Sequence, residues 1–85
     1  MPRFKVDVQI MPRAQLLDPQ GNAVEHALKS LGFDAVKDVR VGKALTFDVD
    51  QPDADNAQRS AREMCEKLLS NPVTEDFSVS VTEVL

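Results

Sequence analysis

The segment Phe4-Lys5-Val6-Asp7-Val8-Gln9-Ile10 constrains this chain more than any other. Phe4, Val6, Val8 and Ile10 alternate with Lys5, Asp7 and Gln9, the period of a strand with one buried and one solvated face. Such a strand needs neighbouring strands and a layer packed on its apolar side. A length of 85 residues leaves room for one domain, residues 1–85, around a single small sheet.

The remaining elements follow from local pattern. Met11 to Leu17, with Pro12, is a loop. Asp18-Pro19 opens a helix, because the carboxylate can cap free N–H groups and proline suits the first helical position. Val24, Ala27, Leu28 and Leu31 form its apolar stripe, Glu25 and Lys29 an i,i+4 pair on the other side, and Gly32 its end. Val39 and Val41 mark a second strand, Gly42-Lys43-Ala44 a short hairpin connection, and Leu45, Phe47 and Val49 a third strand. A second helix is expected from about Asn56 to Ser70, with Ala57, Ala61, Met64, Cys65 and Leu68 inward and Glu63 paired with Lys67. Asn71-Pro72 stops it, since the residue before proline disfavours helical backbone. Phe77, Val79 and Val81 form the last strand.

The expected order is therefore β-α-β-β-α-β, an α+β split βαβ sandwich: a four-stranded sheet with both helices on one face. Its open face would carry Lys5, Asp7, Gln9, Asp38, Arg40, Thr46, Asp48, Ser78, Ser80 and Thr82. Nearly all are polar, so self-association through strand edges or helices is favoured over a dry stacking of sheets. A chain this short buries only about 60–65% of its unfolded surface. A partner chain is the remaining source of stability, because disulfides and metals find no support.

Charge and composition narrow the function classes. The net charge is −4 and 42% of residues are hydrophobic, which argues for a folded chain without electrostatic attraction to nucleic acid or anionic membrane. No apolar run is long enough to span a membrane and no signal-peptide core follows Met1. One cysteine makes no internal disulfide, so the expected location is the cytoplasm.

Few residues suggest chemistry. Cys65 lies in an apolar stripe beside Glu66, a setting for a core residue rather than a nucleophile. His26, the only histidine, falls off the stripe and has no companion at metal-ligand spacing. Asp48, Asp50, Asp53 and Asp55 lack the glycine and closing glutamate of a calcium loop and read as a strand end and helix cap. Asp18-Pro19-Gln20-Gly21 is either a simple capping turn or a helix start whose free amides bind an anion, with Gly21 letting another backbone approach closely. Arg40, Gly42 and Lys43 are either an exposed hairpin end or a docking point for a partner carboxylate. The open face lacks the aromatics of an RNA-reading sheet. No Cys-x-x-Cys loop exists for a metallochaperone, and no glycine lies between Met11 and Leu17 for an acylphosphatase-type anion cradle. As an independent enzyme the chain is poorly equipped.

Three segments carry a family resemblance. Leu17-Asp18-Pro19-Gln20-Gly21-Asn22-Ala23-Val24, followed by His26-Ala27-Leu28, closely resembles the first-helix signature of the PurS family. Val36-Lys37-Asp38-Val39-Arg40-Val41-Gly42-Lys43 and Met64-Cys65-Glu66-Lys67-Leu68-Leu69-Ser70-Asn71-Pro72-Val73-Thr74-Glu75-Asp76-Phe77 agree in order. PurS proteins are the small subunits of phosphoribosylformylglycinamidine (FGAM) synthase. The resemblance implies a non-catalytic accessory subunit in de novo purine biosynthesis. It would assemble and couple the glutaminase subunit with the ATP-dependent ligase subunit, and form a homodimer or homotetramer. ATP, Mg and glutamine would serve the partner subunits, with no cofactor on this chain. Carried over by position, Asp18, Gln20 and Gly21, then Arg40, Gly42 and Lys43, then Asn71 and Pro72 are the candidate partner-contact residues. Arg40→Glu is expected to weaken partner binding while leaving the fold intact. Met11-Pro12-Arg13-Ala14-Gln15 is a longer or more irregular lead-in than the family's usual one, and Gln51 to Ser60 matches no signature. The rival reading is an ACT-like regulatory module that binds a small molecule.

Overall fold

The computed structural model describes residues 1–85. Strand β1 (Arg3–Pro12) is central, with β2 (Lys43–Asp50) on one side and β3 (Glu75–Val84) on the other, both antiparallel to it. Val6 lies between Phe47 and Val81, and Val8 between Leu45 and Val79, so the apolar residues of all three strands share one face. Helix α1 (Pro19–Ser30) follows β1, and helix α2 (Ala54–Met64) continues into a π-helical segment (Cys65–Leu69).

The sheet has three strands, not four. The segment around Val39 and Val41, expected as a strand, joins no ladder. Its amides have other acceptors: Val39 N–H donates to Glu25 Oε1 at 3.1 Å and Val41 N–H to Asp18 Oδ2 at 2.9 Å. Asp38, at φ +56°, turns the chain into this path from the left-handed region. With that strand absent, Gly42-Lys43-Ala44 is no hairpin, and Asp38 and Arg40 leave the open sheet face. The expected strand would have been an edge next to β2, and its loss leaves that edge free.

A second difference follows. Helix α2 packs on β1 and β3, while α1 makes no comparable contact with any strand. The expectation of two helices seated on one sheet face holds for α2 alone. Val6, Val8 and Ile10 form the core with Ala61 and Cys65, flanked by Leu45, Phe47, Leu69 and Phe77. Small residues on α2 let the helix approach the sheet closely. Gln58 also donates to the Val79 carbonyl at 3.4 Å, and Arg62 lies over the Phe77 ring at 5.1 Å. Only 10 of 85 residues are buried, so the core is as thin as the length implies.

The helix ends are built as their residues dictate. Asp53 caps α2 by accepting from Asn56 N–H at 2.8 Å. The last turn widens because both the amide and the hydroxyl of Ser70 donate to the Cys65 carbonyl at 3.0 Å, a five-residue reach. Helix α1 ends at Gly32, φ +100°. Both anticipated i,i+4 pairs form, Lys29–Glu25 at 3.3 Å and Lys67–Glu63 at 2.8 Å. Exposed pairs of this kind stabilise little.

Because Ile10 is fully buried at the end of β1, Ile10→Ala should destabilise the fold by about 3 kcal/mol. Urea unfolding should show a lower midpoint with an unchanged slope.

Candidate functional site

The signature residues converge at one end of the sheet, where β1 ends and β2 begins. Asp18 caps α1 through Gly21 N–H, which donates to Oδ1 at 3.0 Å, while Oδ2 accepts from Val41 N–H. One carboxylate thus starts a helix and holds a segment more than twenty residues away. Gly21 is buried beneath that segment, and a Cβ there would collide with the Val39 carbonyl oxygen. Gly42 passes equally close to the end of β1, where a Cβ would meet the Ile10 carbonyl and the Met11 sulfur. At Asp18-Pro19-Gln20-Gly21 the structure shows a capping turn and a close backbone approach at Gly21.

Arg40 reaches back the other way. Its guanidinium donates to the Leu16 carbonyl at 2.9 Å and the Arg13 carbonyl at 2.6 Å, so the loop before α1 is held by the segment that α1 itself holds. The Arg40 Nε is buried without a partner. This corrects the expectation that Arg40→Glu leaves the fold intact. A carboxylate there would face two carbonyl oxygens, and the loop would lose its donors.

Arg13 extends the network to the third signature segment. Its guanidinium donates to the Pro72 carbonyl at 2.6 Å and its amide to the Thr74 carbonyl at 2.9 Å, with Asp76 3.6 Å from Nε. The turn itself is ordered by Asn71, whose Oδ1 accepts from Val73 N–H at 2.9 Å and whose amide donates to Glu75 at 2.7 Å. Gln20, Gly42 and Lys43 line a shallow groove with Glu75. Asp18 and Gly21 are buried and Arg40 is half-buried, whereas Gln20, Lys43, Asn71 and Pro72 are exposed.

Sequence reasoning missed two members of this network, Glu25 and Arg13. Glu25 lies seven residues after Asp18, two helical turns along the same face, and that spacing was a usable signal. Arg13 sits in a loop that matched no pattern, and nothing local pointed to it.

The electrostatics follow from these bonds. The Val41 and Gly21 amides hold the Asp18 carboxyl below its usual range, against a smaller opposing effect of burial. Glu25 is lowered by the Val39 amide and then by Lys29. Burial pushes the Cys65 thiol up, in keeping with its place among core side chains. His26 is exposed on α1. Asp50 pairs with Arg3 at 3.1 Å, and no three His, Cys, Asp or Glu side chains gather as a metal site.

Two expected outcomes test the network. Gly21→Ala should cost roughly 1–3 kcal/mol, seen as a lower Tm, because the Val39 backbone must move. Asp18 and Glu25 bind protons less readily folded than unfolded, so their stabilisation is present above the ordinary carboxylate range. It is lost as pH falls below about 4 toward the depressed folded values. Acid titration followed by circular dichroism should show this loss, and Asp18→Asn with Glu25→Gln should flatten it.

Comparison with known proteins agrees over nearly the whole chain. Residues 5–83 match the PurS family, described as phosphoribosylformylglycinamidine (FGAM) synthase. The Bacillus subtilis phosphoribosylformylglycinamidine synthase subunit PurS is 44% identical over 82 residues, covering 96% of each chain. The solved Thermus thermophilus PurS superposes with a TM-score of 0.87 at 38% identity, covering 99% of this chain and 100% of that one. A chain of the Thermotoga maritima PurLQS structure does so with a TM-score of 0.85 at 32% identity, covering 99% and 100%. The ACT-like alternative finds no support in these likenesses. With a match from residue 5 to residue 83 and a shared fold, the chain belongs to the PurS family.

Proposed function

We propose that this chain is the small accessory subunit of an FGAM synthase in purine biosynthesis, assembling the ligase subunit with the glutaminase subunit and coupling their reactions. Family membership across residues 5–83 carries this reading. The full-length likeness to a chain of the PurLQS structure supports it. In this reading the chain has no catalytic role of its own, and ATP, Mg²⁺ and glutamine bind the partner subunits. The protein works in the cytoplasm; no helix is long and apolar enough to cross a membrane.

The physical work of such a subunit is orientation. Ammonia released at one site must reach another without escaping to water, which requires a fixed relation between the two. A small subunit supplies this by binding one arrangement of its partners better than others. Within the signature, Asp18, Gly21, Gly42 and Arg40 shape the backbone, and the exposed Gln20, Lys43, Asn71 and Pro72 meet the partners. The protein also associates with itself, as a homodimer or homotetramer.

Reconstitution tests the reading. Ligase and glutaminase subunits from the same organism should form the amidine from glutamine only when this chain is added, while free ammonia supports the ligase without it. No effect of addition would overturn the coupling role. Lys43→Glu should weaken capture of the chain by the ligase subunit about tenfold without changing its Tm. Unchanged capture would remove Lys43 from the interface.

A further inference from the structure

Two apolar side chains at the joint have no use within the chain itself. Leu17, 77% exposed, precedes the Asp18 cap, where an apolar residue often packs against the fourth residue of the helix. That residue is Asn22, which offers no apolar surface in return. Val73, 73% exposed, sits in the tight turn after Asn71-Pro72, a setting that favours glycine, aspartate, asparagine or serine. A single exposed leucine or valine means little on a protein surface. These two lie on loops that are bonded to each other.

Arg13 makes the connection. Its guanidinium donates to the Pro72 carbonyl and its amide to the Thr74 carbonyl, while its own carbonyl accepts from Arg40. Leu16 N–H donates to the same Arg13 carbonyl at 3.0 Å, and the Leu16 carbonyl accepts from Arg40. In the turn, Val73 N–H donates to the Asn71 side chain and Glu75 N–H to the Asn71 carbonyl at 2.9 Å. Drawing either apolar residue into the core would require breaking these bonds. Loops already ordered in this way lose little freedom when a partner binds.

The surface is continuous with the exposed contact candidates. Asn71 and Pro72 share the turn with Val73. Glu75 accepts from the Asn71 amide at 2.7 Å and lines the same groove as Gln20 and Lys43. Apolar anchors inside a polar rim are the anatomy of a contact between proteins. Lys43, read above as a ligase contact, belongs to this surface, so the occupant is the ligase subunit.

We propose that Leu17 and Val73 are the apolar anchors of the surface that docks on the ligase subunit, filling an apolar recess there while Gln20, Lys43 and Asn71 bond around its rim. This rests on the accessory-subunit reading, and the experiment separates the two. Immobilised ligase subunit is titrated with the chain in the presence of ATP and Mg²⁺. Leu17→Asp and Val73→Asp should each raise the dissociation constant at least tenfold without changing Tm. Leu17→Met, which keeps the apolar surface, should bind within about twofold of wild type. Leu68→Asp should bind unchanged, since Leu68 is 82% exposed in a different groove with Met64 and Lys67. If Lys43→Glu weakens binding while Leu17→Asp and Val73→Asp do not, the anchors are overturned and the accessory reading stands. An equal loss for Leu68→Asp overturns the assignment to these two loops. In sedimentation equilibrium both Asp variants should keep the wild-type oligomeric state; dissociation would make this an interface between copies and overturn the docking. A wild-type chain that the ligase subunit does not hold overturns the docking, and one held by neither partner, singly or together, overturns both readings.

Discussion

Val39 and Val41 are alternating β-branched residues, yet their amides donate to carboxylates on α1 and not to a neighbouring strand. Most other features of the architecture depend on that choice. A buried or half-buried amide must have an acceptor, and once Asp18 and Glu25 supply it, the segment cannot also join a ladder. The sheet therefore closes at three strands, with β2 at a free edge. Without a return strand beside β2, nothing seats α1 on the sheet. The helix instead becomes an arm attached through polar bonds at its N-terminal half.

This attachment explains why the family signature has the residues it has. A carboxylate at position 18 can accept from two directions, one helical and one across. The glycine three residues later removes the side chain that would hold the two backbones apart. Arg40 closes the loop in the opposite direction, and Arg13 joins it to the turn at Asn71 and Pro72. The signature segments are far apart in the chain because each supplies one side of a single joint. Charged groups suit a joint of this kind: they bond backbone polar atoms that a thin core cannot shield from water.

Much of this was legible in the sequence, and what was missed has a common cause. The period-2 strands at Phe4–Ile10, Leu45–Val49 and Phe77–Val81, and both helices, were readable because each has a face that solvent or core selects locally. The cap at Asp18 and the stop at Gly32 were readable for the same reason. Val39 and Val41 alternate too, but their fate was decided by acceptors on α1 more than a dozen residues earlier. Period alone cannot distinguish a strand amide satisfied by a strand from one satisfied by a side chain. The π-helical turn was hidden likewise, since it depends on Ser70 competing for the Cys65 carbonyl. In the site, the residue types were legible and their division of labour was not. Buried Asp18 and exposed Gln20 sit two positions apart in one motif, and only burial separates the residue that builds the joint from the one free to touch a partner.

A joint of directed hydrogen bonds also suits the role of an orienting subunit. Were α1 tethered by a flexible linker, its contacts would carry no information about where the sheet lies. Held at Val39 and Val41 by two carboxylates and at its lead-in loop by Arg40, the helix keeps a defined angle to β2. Whatever binds α1 then fixes the position of whatever binds the sheet. Polar bonds give this angle a definite value, while the thin core leaves little apolar surface to resist a partner that reshapes the rest. A small chain can thus relate two larger proteins without a large interior, provided the joint is what stays constant.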